Sequence, residues 1–346
     1  MLGSLRFMLA IAVVFSHTGL TPDFHFGAMA VSVFFLIAGY VMTHSFKVNF
    51  GNDLLNVGSF YLDRFFRIYP LYLVSLAMVW GFVQVSGYGR LYLDLGSMIV
   101  NLTMFPLNMH QQIMNPPAWS LGTEVQFYLL LPFLVKFAKL KYYLLPMSYG
   151  LFVIATFGVV PAQQWSYAYL PGTLFFFIIG SIIYDMRSDV TKLSRNIVVG
   201  MSIVGTVHLV ALSFSGTDIT QPYAFESLVG LAVGIMSLIL LGQAKPGHKR
   251  VDDLLGKLSY PIFLSHVCVL YAFDHLRSRG DLTLTPRGAV ALQLVSAVVL
   301  GIPLMLLDDR VQILRKRIQR QRMSRQDVPI VPKISAPPRT LGAEST

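Results

Sequence analysis

The chain has 346 residues, 54% of them hydrophobic and only 13% charged, with a mean hydropathy of +0.60. Soluble domains carry about twice that charged fraction, so an ordinary soluble domain is excluded and the apolar runs read as helices, because unpaired backbone cannot face lipid. The net charge of +10 does not point to nucleic acid: the basic residues sit mostly in loops and the tail, where they orient a membrane protein.

The expected fold is all-α and polytopic, with ten transmembrane helices plus one short re-entrant or interfacial helix. In chain order the spans are Leu5–Leu20, Gly27–Ser45, Ile68–Val85, Trp119–Ala138, Tyr142–Val160, Ala168–Tyr184, Asn196–Ser215, Tyr223–Gly242, Leu258–Phe273 and Gly288–Leu307. Leu5–Leu20 lacks a convincing small-residue cleavage site and reads as a retained first helix. Leu93–Leu107 is shorter and carries Asp94, Asn101 and Pro106. Charge decides its fate. With ten spans and a cytoplasmic N-terminus, all of the 27 Lys and Arg residues except Arg90, Arg277, Arg279 and Arg287 fall inside. If Leu93–Leu107 crossed, most would move outside, against the positive-inside rule. Both termini are therefore expected in the cytoplasm.

Residues 1–310 form the expected membrane domain, and 311–346 a basic cytoplasmic tail. Val311–Arg325 mixes basic and apolar residues and reads as a helix on an anionic leaflet. Val328–Thr346 is rich in Pro, Ser and Thr and reads as disordered. The single cysteine, Cys268, allows no intrachain disulfide, and no histidine pair has metal-ligand spacing with acidic partners, so no metal is expected. No internal repeat of the transporter kind is visible.

Ionisable residues inside spans are costly and mark function by default. His17 is one, and histidine can exchange a proton near neutral pH. Arg6 lies eleven residues earlier, about three turns and 16 Å away on the same helix face. Glu124 sits a few residues inside the span that starts at Trp119. Its depth is close to that of His17, which suggests a base held by an acid. Arg64 and Arg67, at i and i+3, share one side of a helix start. With Arg6 they would make a mouth suited to a polyphosphate, because guanidinium binds phosphate through two donors. Each residue also has a plainer reading: lipid-headgroup anchors for the arginines, helix packing for His17, and an interfacial carboxylate beside a Trp for Glu124. His266 reads equally as a pocket residue or as a structural histidine, and His208 as packing.

In combination these residues resemble the acyltransferase 3 family. The resemblance covers about residues 3–310. It rests on Arg6 and His17 with ten residues between them, on Phe34-Phe35 through Ala38-Gly39-Tyr40, and on Arg64-x-x-Arg67-Ile68-x-Pro70. It rests further on Trp119-Ser120-Leu121-x-x-Glu124-x-Gln126-Phe127-Tyr128 and on Ser259-Tyr260 leading to His266. The order of these motifs on a ten-span chain is more specific than any one of them.

The resemblance implies an enzyme that transfers an acyl group, often acetyl, from acyl-CoA as cosubstrate to a hydroxyl of an envelope carbohydrate or lipid-linked glycan. It implies a bacterial inner-membrane location and no bound cofactor. It points to His17 as the essential histidine and Arg6 as its donor-side partner. Trp119, Ser120, Gln126, Tyr128, Ser259, Tyr260 and His266 become candidate pocket residues. The sequence departs from the family pattern at Ala38, where Ser is usual, and at Asp308-Asp309-Arg310, where an acid is commonly followed by Pro. A glycolipid transporter or flippase, with His17 and Glu124 as a proton relay, is the alternative. A membrane scaffold acting through the basic tail is a third reading.

Overall fold

The computed structural model describes residues 1–21, 23–51, 54–87, 93–187, 192–214, 223–241, 247–282 and 284–326. Among these the fold is all-α. Eleven α-helices follow in order: α1 (Leu2–Ser16), α2 (Phe26–Asn49), α3 (Val57–Ser86), α4 (Leu95–Thr103), α5 (Trp119–Lys136), α6 (Lys139–Thr156), α7 (Leu170–Asp185), α8 (Lys192–Phe214), α9 (Ala224–Leu241), α10 (Lys249–Ser278) and α11 (Pro286–Gln326). Each expected span has its helix. Eight are long and apolar enough to cross a membrane; α1, at 15 residues, is shorter, and α6 falls outside the eight.

The helix limits differ from the expected spans in ways that matter. α1 ends at Ser16 and His17 caps it, with Gly19 at φ 74° just beyond; the backbone leaves the helix before Leu20. α3 starts eleven residues earlier than expected, so Arg64 and Arg67 lie within a helix rather than at its start. α4 has only nine residues, about 14 Å of rise, too short to span. Asp94 caps it by accepting from the Ser97 amide at 2.6 Å. That carboxyl lies below the ordinary aspartate range because the Ser97 side chain and amide both bond it.

Val311–Arg325 is helical, but as the unbroken continuation of α11. Its first turn is bonded to α3 rather than lying apart on a leaflet. The stretch read as disordered, Val328–Thr346, lies outside the described residues.

α2 is the hub. It packs on α1, α7 and α9, while α1 packs chiefly on α10. Small residues permit the closest crossings. A Cβ at Gly39 would meet the Phe177 carbonyl oxygen at 2.0 Å, and one at Gly180 would meet that of Leu36 at 2.0 Å. These contacts fix α2 against α7 through backbone approach, the usual device where lipid provides no hydrophobic drive between helices.

Ion pairs join several helix ends. The Met1 amino group pairs with Asp252 at 2.9 Å. Asp185 bridges Lys47 at 2.7 Å and buried Lys141 at 2.9 Å, and Lys257 meets Asp309 at 2.9 Å.

Candidate active site

Two neighbouring cavities open among the helices. One, of about 150 Å³, is lined by Arg6, Arg64, Arg67, Ser120, Glu124, Tyr128, Ser259 and Tyr260 against apolar side chains of α2. The other, of about 590 Å³, is lined by His17, Trp119, Tyr167, Tyr223 and several uncharged polar side chains. Val31 and Phe263 line both. The common face of Arg6 and His17 is thus turned inward, with one residue in each cavity.

The basic cavity holds its arginines with carboxylates. Arg64 is buried and donates to Asp63, to the Met42 sulfur at 3.0 Å and to Ser45 Oγ at 3.4 Å. Its guanidinium lies 5.7 Å from the Phe60 ring centre. Arg67 donates to Asp308 Oδ2 at 3.0 Å and sits 5.5 Å over the Tyr260 ring, while Tyr260 donates to the Ile68 carbonyl at 2.9 Å. Arg6 has a weaker tether, its Nε donating to Leu2 O at 3.4 Å. Glu124 accepts from the Tyr128 hydroxyl and lies in the field of Arg64, Arg67 and Arg6. Among the described residues it forms no ion pair with them, since Arg64 and Arg67 are paired to Asp63 and Asp308 instead.

Both carboxylates that hold the α3 arginines are also held from α11. Gln312 donates to Asp308 Oδ1 at 2.7 Å and to the Arg67 carbonyl at 3.4 Å. Arg315 forms an ion pair with Asp63 Oδ1 at 3.3 Å. The acid near the end of the last span therefore orients Arg67. Sequence reasoning missed Asp63, which lies just before an expected span, and Gln312 and Arg315, which fall in the stretch read as a helix on an anionic leaflet.

His17 and Glu124 are not hydrogen-bonded, contrary to expectation. Similar depth says nothing about direction around a helix, and α1 faces α10 and α2. The neighbour of His17 is His266, stacked at 28° with ring centres 5.4 Å apart. His266 is fully buried and lines neither cavity. Its Nδ1 lies 2.8 Å from Phe263 O and 3.3 Å from Ile262 O, so that nitrogen carries the hydrogen, and Nε2 has no partner.

Trp119 lines the cavity of His17, one residue from Ser120 in the basic cavity. Ser120 itself donates to Pro117 O at 3.2 Å, and Ser259 to Gly256 O at 2.9 Å. Gln126 lines neither cavity. It pairs with Asn108, donating to its Oδ1 at 2.8 Å, and Asn108 donates on to Ala168 O at 3.1 Å, tying the loop before α5 to the start of α7. His208 is a packing residue, bonded to the Tyr149 hydroxyl at 3.1 Å and to Thr156 Oγ1 at 2.9 Å.

A family model described as an acyltransferase domain matches residues 2–307. An uncharacterized protein of Aquifex aeolicus (strain VF5) is 31% identical over 208 residues, covering 59% of this chain and 91% of that protein. "Acyltransferase MdmB" of Streptomyces mycarofaciens is 24% identical over 315 residues, 80% of this chain and 78% of that one. An uncharacterized protein of Haemophilus influenzae is 25% identical over 239 residues, 58% of this chain and 96% of its own. No solved structure matches the chain. With its arginine cavity, its His17 cavity and a family match over nearly all of the described helices, the chain belongs to the acyltransferase 3 family of membrane acyltransferases.

Proposed function

We propose that the protein is an O-acyltransferase that moves an acyl group, most simply acetyl, from acyl-CoA to a hydroxyl of an envelope carbohydrate or lipid-linked glycan. The observation that carries this reading is the meeting of a three-arginine cavity and a histidine cavity at Val31 and Phe263. In this reading the arginine mouth faces the cytoplasm, as the distribution of Lys and Arg favours, both termini are cytoplasmic, and the membrane is a bacterial inner membrane. Residues 1–310 carry the chemistry with ten spans.

The phosphates of CoA bind Arg6, Arg64 and Arg67. The acyl thioester extends toward Val31 and Phe263, and the acceptor enters from the other side. His17 takes the proton of the acceptor hydroxyl as its oxygen bonds the thioester carbon. The tetrahedral adduct then collapses, the carbon–sulfur bond breaks, and the departing CoA sulfur receives the proton from the His17 imidazolium. The products are an ester and free CoA thiol. Glu124 belongs to the donor end, lining the same cavity as the three arginines. His266 backs the His17 ring and limits its rotation. Ser120, Tyr128, Ser259 and Tyr260 complete the donor wall.

The test is thiol release from acetyl-CoA by purified protein in lipid nanodiscs, with and without a glycan acceptor. Acceptor-dependent release by wild type, lost in a correctly inserted His17→Ala variant, is the expected result. A wild-type protein that moves glycolipid between leaflets without consuming thioester would instead establish the flippase reading.

A further inference from the structure

We propose that the cavity beside His17 is a subsite for a neutral sugar, with Trp119, Tyr167 and Tyr223 as its stacking wall and Gln163 and Gln164 as its hydroxyl-binding groups. This rests on the acyl-transfer reading and adds to it the place and the charge of the acceptor.

Three rings follow one another along the cavity. The centres of Trp119 and Tyr167 are 4.5 Å apart, and those of Tyr167 and Tyr223 are also 4.5 Å apart. A pyranose offers a C–H-rich face and a rim of hydroxyls. The face packs on aromatic rings, and the rim needs a few placed polar groups. Gln163 and Gln164 line the cavity and make no side-chain hydrogen bond among the described residues. Asn108 and His110 are already engaged, by Gln126 and Ala168 and by Ser97.

The backbone bringing these groups together is irregular. Gln163–Ala168 is a turn of π-helix, a rare form that is frequent at functional sites. Tyr223 adopts φ 73°, a region that a bulky residue occupies only when its surroundings impose it. Its ring is held between Tyr167 and the edge of His25 at 5.1 Å, and His25 is anchored through its backbone N–H to Glu226 at 3.0 Å.

Charge selects the ligand class. Among the described residues no Asp, Glu, Lys or Arg lines this cavity, and of its histidines His25 is already paired with Glu226 at 3.1 Å and His110 bonded to Ser97 at 2.8 Å, so an anionic sugar would find no permanent counter-charge. A lipid tail would leave the glutamines without partners. His17 stands in the same wall, where a bound sugar would present a hydroxyl to it.

The experiment uses full-length protein in nanodiscs carrying Trp80→Phe and Trp165→Phe, which leaves Trp119 as the sole tryptophan of the three. A panel of neutral methyl hexosides and the matching uronates is titrated against its fluorescence, with prenyl-linked versions separating a lipid-borne acceptor from a free one. Neutral glycosides are expected to change the signal saturably and uronates to bind at least tenfold more weakly. Tyr167→Leu and Tyr223→Leu should weaken binding at least tenfold, Tyr167→Phe and Tyr223→Phe less than threefold, and acetyl-CoA binding should stay unchanged in all four. Silence across the neutral panel, equal response to uronates, or leucine variants of undiminished affinity would overturn the subsite. Glycoside binding without thioester consumption would sink the acyl-transfer reading and leave the subsite standing. Transfer with an acceptor KM unmoved by the leucine variants would do the reverse.

Discussion

The His17 ring lies against the ring of His266, 5.4 Å between centres, and makes no hydrogen bond to Glu124. The base of the proposed reaction is therefore held by a second imidazole, while the carboxylate belongs to the arginine cavity. Replacing His17 by Ala should cut transfer by about 10²–10⁴-fold or more, with insertion and acyl-CoA binding retained. His266→Phe, which keeps a flat ring, should cost far less than His266→Ala. Thiol release at saturating substrates measures both, and equal losses would remove the stacking role.

Glu124→Gln should act on the donor. Arg64 and Arg67 keep their partners Asp63 and Asp308, but the cavity loses its one further carboxylate charge, so the KM for acyl-CoA should change about 5- to 30-fold, the range of about 1–2 kcal/mol. The acceptor KM should not move. A change confined to the acceptor, or a shifted pH–rate profile at constant donor KM, would reinstate Glu124 as the acid partner of His17.

Arg315 and Gln312 lie beyond residue 307, where the family match ends, yet they bind the carboxylates of Asp63 and Asp308. Arg315→Ala should lower thermal stability, because it takes an ion-pair partner from the buried Asp63 carboxylate, and raise the donor KM, with Arg315→Lys partly restoring both. Removing residues 327–346 should leave activity intact, whereas ending the chain at Leu307 should abolish it. Thermal unfolding in detergent together with donor KM tests the set; an active protein ending at Leu307 contradicts the assignment.

Gly39→Ala should lower thermal stability, by about 1–3 kcal/mol for overpacking, because its methyl would meet the Phe177 carbonyl. Gly58→Ala, with nothing within 4 Å, serves as the comparison and should be neutral or mildly stabilising. Equal effects would mean that α2 and α7 do not cross at Gly39.

Acid should loosen α4 before the bundle. The Asp94 carboxyl is depressed by its bonds from Ser97. Its capping contribution is thus complete above the ordinary aspartate range and is lost as pH falls through the depressed value. Hydrogen exchange of the α4 amides at neutral and at strongly acidic pH reads this directly. Asp94→Asn should reduce the protection at neutral pH, and a pH-independent protection in wild type would refute the cap.

Helix order was legible because lipid demands long apolar runs, and the non-crossing of Leu95–Thr103 because charge counts are sensitive to one inverted span. Arg6, His17, Arg64 and Arg67 stood out as charges where charge is costly. What stayed hidden was direction. Depth along α5 could be read for Glu124, but the side of the helix it occupies depends on neighbours that no local pattern names. No motif in the sequence marks Tyr167 or Tyr223, and Gln126 reads as a pocket residue until Asn108 is found to be its partner. Arg315 was read as lipid-facing because its partner, Asp63, is distant in sequence.

α11 runs 41 residues without a break, about 60 Å at 1.5 Å per residue, roughly twice the hydrocarbon thickness. Eighteen of those residues follow Asp308, so the helix end at Gln326 stands about 27 Å beyond the carboxylate that holds Arg67. The last helix is a stalk with its foot at the arginine cavity, and a load on its free end would bear on the arginines at its base.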